Sequence, residues 1–234
     1  KGGEKMKKII AILLCLMLVF SVCSCSDNKD DGAETSSETV STKPLTETEI
    51  KFNELELKPD CFLSLTSEND LTDMFSTSFL EKTYDFEVNK ASAEKLLKEK
   101  LDKITKDKKT NLDKATACYD WIIKNVEYHD YGFSNWVSLI VTLNDKQGNP
   151  FDYAYTYYAM LRYIGIDAKL EKGFRSLEVG GNSMHSWVTV EIDGIKYYFD
   201  PFTDNNNADL QQTETCYDCF LKTDEEVGYR YIED

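Results

Sequence analysis

Between residues 185 and 200 apolar and polar positions alternate in two runs separated by Asp193-Gly194. Alternation has the period of a strand, and Asp-Gly suits a tight two-residue turn, so the pattern predicts a β-hairpin. A two-residue loop sets the register, with Ile192 opposite Ile195, Glu191 opposite Lys196 and Trp187 opposite Asp200. Val188, Val190, Ile192, Ile195, Tyr197 and Phe199 then share a core face. His185, Trp187, Thr189, Glu191, Lys196, Tyr198 and Asp200 share the other, with Glu191 and Lys196 placed as a cross-strand ion pair. His185 and Asp200 fall diagonally on that face, roughly 7–8 Å apart by backbone and within side-chain reach.

Upstream, the apolar spacing changes to that of helices. Leu96, Leu97, Leu101 and Ile104, set among Lys and Glu, predict an amphipathic helix over 91–107. Thr110 followed by Asp113 resembles a capping box and opens a helix to about Val126, with Leu112, Ala115, Tyr119, Ile122, Ile123 and Val126 as its stripe. A shorter helix holds Trp136, Leu139, Ile140 and Leu143. The next is bounded by Pro150 in its first turn and Gly165 at its C′ position. Within it, the small residues Ala154 and Ala159 allow close packing. Ile166 to Phe174 reads as a strand, and Ser176 to Ser183 as a polar, Gly-rich loop. The Asn/Asp run after Pro201 reads as a surface loop, and the segment from Cys219 as a last short strand. Between 50 and 90 the pattern is weak, with strand-like hints at Ile50-Lys-Phe52, Leu55-Glu-Leu57 and Cys61–Leu65. Helices followed by strands favour an α+β fold.

The N-terminus reads as an address. Lys7-Lys8 precede an apolar run from Ile9 to Phe20, too short for the ~20 residues of a membrane span but right for an export signal. It ends in Ser21-Val-Cys-Ser-Cys-Ser26, which resembles the bacterial lipoprotein signal, with Cys25 the preferred lipidation site and Cys23 the weaker one. Met6 reads as the true start, because residues 1–5 are what a ribosome-binding site would encode if translated in frame. Ser26 to about Glu49 is rich in Asp, Glu, Ser and Thr, and reads as a disordered tether. The expected organisation is therefore signal peptide 1–24, lipidated Cys and tether 25–49, N-terminal strands and helix 50–110, and core 111–234. Localisation follows as the outer face of the bacterial cytoplasmic membrane.

Charge removes one class of partner. With 42 acidic against 27 basic side chains the net charge is −15, opposite to the basic footprint that nucleic acid demands. Cys61, Cys118, Cys216 and Cys219 lie in the exported part, where an even number suggests disulfides with three possible pairings. Simple buried thiols or a single bridge are the preferred reading over redox chemistry at Cys216-x-x-Cys219. That pair lacks a second CxxC or a nearby His, so neither a metal nor another cofactor is expected.

Residues from about Lys114 to Asp224 resemble the transglutaminase-like superfamily. The shared features are the helix from Ala115 with Tyr119-Asp120-Trp121-Ile122 and Tyr128, the helix end Leu161-Arg162 with Gly165-Ile166, the His185-x-Trp187-Val188 strand and the Asp193-Gly194 strand closing on Asp200-Pro201. The resemblance implies a papain-like/transglutaminase-core α+β fold, with an antiparallel sheet packed on the helix whose N-terminus carries a Cys nucleophile. It also implies that His185 moves the proton and Asp200 orients the ring. The departure lies at the nucleophile. Aligning Tyr153-Ala154 with the family's Tyr-Ala places Pro150 at the Cys position. Proline has neither a nucleophilic atom nor the N–H that helps bind an oxyanion. Asp152 points away along the helix, and Cys118 reads as structural.

The expected function is a surface lipoprotein whose transglutaminase-like domain has lost catalysis and binds peptide or cell-wall material. Trp136, Tyr153 and Trp187 would line a groove that the 176–183 loop covers. The alternative is a residual hydrolase in which His185 and Asp200 activate water or an unidentified nucleophile. A purely structural domain is a third reading. Oligomeric state is left open.

Overall fold

The computed structural model describes residues 43–58, 86–130, 135–177 and 180–233, with the backbone alone described at 86–90, 135–137, 229 and 233. The export signal, Cys25, most of the tether and Cys61 lie outside the described residues. Pro44 to Asp234 form one compact unit.

Among the described residues, five helices precede the main sheet. α1 (Glu47–Asn53) is opened by a Thr46 capping box completed by Glu49. It begins within the stretch expected to be a tether, and Ile50-Lys-Phe52 lies in it rather than in a strand. Phe52 is its anchor, fully buried against Phe199 with ring centroids 6.1 Å apart. α2 (Phe86–Ile104) starts earlier than its spacing indicated and buries Ala93, Leu97 and Leu101. α3 (Asn111–Asn125) has the expected Thr110–Asp113 capping box and buries Ala115, Cys118, Tyr119, Ile122 and Ile123. The short strand β1 (Glu127–Tyr128) follows, then α4 (Asn135–Asp145) and β2 (Gln147–Gly148), which pairs with β1 in parallel.

α5 (Pro150–Tyr163) is the centre of the fold, with every residue from Phe151 to Leu161 buried. Proline at N1 leaves no amide unsatisfied there, and Asn149 caps the helix reciprocally with Asp152. Gly148 is required just before it, because a Cβ would lie 2.7 Å from that of Asp152. At the other end Gly165 has φ +93°, the left-handed C′ conformation expected of it.

The main sheet has the order β6-β5-β4-β3-β7, all antiparallel: β3 (Ala168–Ser176), β4 (Asn182–Ile192), β5 (Ile195–Phe199), β6 (Phe220–Thr223) and β7 (Tyr231–Glu233). The β4–β5 register is the predicted one, and Asp193 and Gly194 have φ of 52° and 77°, as a type I′ turn needs. Lys196 reaches across to Glu171 on β3, at 3.8 Å. β3 begins two residues later than expected and continues to a Ser176–Asn182 pair, so Ser176, Asn182 and Ser183 of the expected 176–183 loop are strand residues.

One expectation about this sheet is corrected. Ile195, placed on the core face, sits at the turn and is exposed. On the opposite face Trp187 and Tyr198 form a second apolar cluster with Val227 and Tyr231. The cover comes from α7 (Asp224–Val227), a 3₁₀ turn (Gly228–Arg230) and β7, elements the sequence pattern did not predict.

A second correction concerns the Asn/Asp run after Pro201. It forms α6 (Pro201–Gln211), not a surface loop, and buries Thr203, Asp204, Asn205 and Ala208. Its polar side chains have internal partners. Asn205 Nδ2 donates to the Ile123 carbonyl (2.8 Å), and Tyr119 Oη donates to Asp204 Oδ2 (2.7 Å). Satisfied in this way, buried polar groups cost little.

Candidate functional site

The β4–β5 ladder ends at Val188–Phe199, while β4 continues back to Asn182 paired only with β3. Beside this unpaired stretch the chain leaves β5 and turns into α6. His185 comes from the stretch and Asp200 from the turn. Asp200 is the N-cap of α6, accepting from the Thr203 amide at Oδ1 (3.0 Å), and Pro201 occupies N1. A helix N-terminus is a favourable place for a carboxylate.

The two side chains meet, with His185 Nε2 2.7 Å from Asp200 Oδ2. The same oxygen accepts from Thr203 Oγ1 (2.5 Å) and Tyr231 Oη (3.0 Å), and the Asp200 amide donates to the Cys219 carbonyl (3.0 Å). Burial pushes the Asp200 carboxyl up, but the charge and hydrogen bond of His185 and the bonds from Thr203 outweigh it and hold it at about 2. An ionised Asp200 requires the hydrogen on Nε2, which leaves Nδ1 as the basic nitrogen. In this arrangement the carboxylate can orient the ring and Nδ1 can accept a proton.

The pair is also enclosed. His185 is 4 % exposed and Asp200 fully buried. The imidazole lies 5.9 Å from the Phe202 ring, 6.4 Å from Trp187 and 6.3 Å from Tyr231. Phe202 in turn meets Tyr153 of α5 edge-on at 5.4 Å and Tyr128 of β1 at 5.6 Å. Phe202 thus links His185 to the first turns of α5, where Pro150 is half-buried at N1.

The expected ligand contacts are placed differently. Tyr153 is fully buried, its hydroxyl donating to the Val126 carbonyl (2.5 Å) and lying 3.2 Å from Asn205 Oδ1. Trp187 is fully buried under Tyr231, with centroids 4.7 Å apart. Neither presents surface to a ligand in this structure; both serve packing, where aromatic side chains bury the most area. Trp136 lies on α4, but its side chain is outside the described residues.

Other candidate nucleophiles are poorly placed. Cys118, Cys216 and Cys219 are buried free thiols. Burial pushes Cys118 up to about 12 and Cys216 to about 11, and raises Cys219 further with help from Asp200 and Asp204. A reactive thiol needs the opposite shift. Asp152 is occupied as a cap, accepting from the Asn149 amide (2.8 Å) and the Ser138 hydroxyl, and burial raises it to about 6. Among the described residues, one group brings potential metal ligands together, Asp204, Cys216 and Asp218, with donor atoms within 4.8 Å of one another. Asp204 already accepts from Tyr119 and from the Cys219 amide, so these residues are assigned no metal.

Tyr231 and Thr203 are the site residues that sequence reasoning missed. Thr203 was available as the third residue after an Asp-Pro helix start. Tyr231 had no local signal, since its role depends on β7 returning to the β3 edge.

Residues 98–201 match the family model of the transglutaminase-like superfamily. No curated protein matches. Among solved structures, the chain is similar to a "putative cysteine protease" from Cytophaga hutchinsonii, at 25% identity and TM-score 0.40, covering 47% of this chain and 37% of that one. It is also similar to a TGase at 14% identity and TM-score 0.36, covering 60% and 36%. A third is a "putative protease" from Parabacteroides distasonis, at 18% identity and TM-score 0.31, covering 47% and 25%. This chain therefore spans little more than a third of the first two structures and a quarter of the third. Residues 98–201, under half of the chain, therefore carry the match to the transglutaminase-like superfamily, and the described residues form an α+β structure with a five-stranded antiparallel sheet and the central helix α5.

Proposed function

We propose that this domain has kept the base and orienter of the transglutaminase-like site, has lost the nucleophile, and acts by binding peptide or cell-wall material. The reading is carried by one contrast. His185 and Asp200 are held at 2.7 Å, with Thr203 and Tyr231 bonded to the same carboxylate, while Pro150 stands at the N1 position of α5, where the resemblance would put the family's Cys. The buried, upshifted thiols of Cys118, Cys216 and Cys219 support the same reading. Lipidation at Cys25 and a tether would hold the domain at the outer face of the cytoplasmic membrane. A water-activating hydrolase built on His185 is the less favoured reading, because the imidazole is nearly closed to solvent.

The test is Pro150→Cys. With the rest of the site intact, the new thiol reacts quickly with iodoacetamide near pH 7, and the rate falls in a His185→Ala background. A thiol of ordinary reactivity that ignores His185 would reject the reading of position 150. For the parent chain, the expected result is no turnover of Gln-containing or peptide substrates. Turnover that disappears in His185→Ala would instead establish the hydrolase.

A further inference from the structure

Tyr231 makes more contacts with the site than a three-residue edge strand needs. Its ring stacks on Tyr198 (5.5 Å, 10°), lies against Trp187 (4.7 Å) and covers His185 (6.3 Å), and its hydroxyl donates to Asp200 Oδ2 (3.0 Å). The ring fills a slot walled by Trp187, Tyr198 and His185 and floored by Asp200. Among the described residues, the strand that delivers it is held by three residue pairs, Arg175–Tyr231, Phe174–Ile232 and Gly173–Glu233, with Ile232 exposed. Nor does Tyr231 satisfy the slot. Trp187 is fully buried, yet its Nε1–H has no acceptor among the described residues, and neither has the Nε–H of Arg175, the residue paired with Tyr231. A buried donor without a partner is costly, so the packing of β7 on the slot is not fully optimised.

The two recognition elements, a sheet edge and a side-chain slot, are those by which proteins add a foreign strand. We propose that the β3 edge and the slot formed by Trp187, Tyr198 and His185 are a binding site for an extended peptide carrying a tyrosine side chain, with β7 as the chain's own occupant. The proposal rests on the binding reading above and names the chemistry of the ligand. A tethered occupant acts at an effective concentration of about millimolar, so a free peptide competes poorly until β7 is weakened or displaced.

The test uses the full chain and the synthetic peptide Gly-Tyr-Arg-Tyr-Ile-Glu-Asp, the sequence of residues 228–234. His185 and His129 are the only histidines, one buried and one exposed, so diethylpyrocarbonate modification is readily assigned by peptide mapping. Tyr231→Ala should raise the His185 rate at least tenfold and leave His129 unchanged. Added peptide should return His185 to slow modification saturably, while the peptide with Ala for its second Tyr should not. A reactive His185 that the peptide fails to protect overturns the proposal, as does a His185 rate unchanged by Tyr231→Ala. Should that variant not fold, Phe174→Cys/Ile232→Cys, a directly paired position, locks β7 onto β3 by a disulfide. Labelled peptide at millimolar concentration should then bind only after reduction, and equal binding before and after reduction overturns the proposal. Failure here with the Pro150→Cys thiol still activated by His185 removes the strand site alone.

Discussion

Asp200 Oδ2 accepts from His185 Nε2 at 2.7 Å while the same carboxylate caps α6 through the Thr203 amide at 3.0 Å. One side chain therefore orients the imidazole and starts a helix. Losing it would cost both. Asp200→Ala should destabilise the domain by about 3 kcal/mol, read as a lower urea midpoint, since it leaves His185, Thr203 and Tyr231 unpaired at once. A change under 1 kcal/mol would mean that solvent readily replaces the network.

Buried carboxylates give stability an unusual pH profile. Asp200, held at about 2, contributes stability that is complete above the unfolded value near 4 and lost as pH falls toward 2. Asp204 has the opposite sign. Burial, outweighing its bonds to Tyr119 and the Cys219 amide, raises it to about 7, so the folded state binds a proton that the unfolded state releases near pH 4. Stability should fall as pH rises from about 4 to 7, with Asp152, raised to about 6, adding to the trend. Asp204→Asn should flatten that decline in denaturation curves at pH 5 and pH 8. An undiminished decline would assign it to another group.

Asn205 distinguishes a buried helix from a surface loop. Its amide donates to the Ile123 carbonyl and its oxygen lies 3.2 Å from Tyr153 Oη. Asn205→Ala should cost about 2 kcal/mol by chemical denaturation, against the few tenths expected of an exposed Asn.

Buried thiols should be silent. Iodoacetamide at pH 8 should leave Cys118 and Cys219 unmodified in the native chain and label both in urea, as peptide mapping would show. Rapid native labelling of either would reopen the search for a nucleophile.

The local pattern determined much of this protein. Asp193-Gly194 fixed the hairpin register, Thr110 and Asp113 fixed the start of α3, and Pro150 and Gly165 bounded α5. Each is a short-range backbone requirement, so nearby residues suffice to specify it. The His185–Asp200 pairing was legible for the same reason, because a two-residue turn dictates which residues become neighbours across the hairpin.

Tertiary structure alone decided what the long-range contacts are. Asn and Asp after Pro201 favour a loop by propensity, but Tyr119, Ile123, Tyr153 and the Cys219 amide, distant in sequence, supply partners that let them be buried in α6. Strand alternation marks His185, Trp187 and Tyr198 as one face without saying whether water or protein covers it. The cover is Val227 and Tyr231, and no periodicity within the hairpin can announce a strand that returns from the far end of the chain.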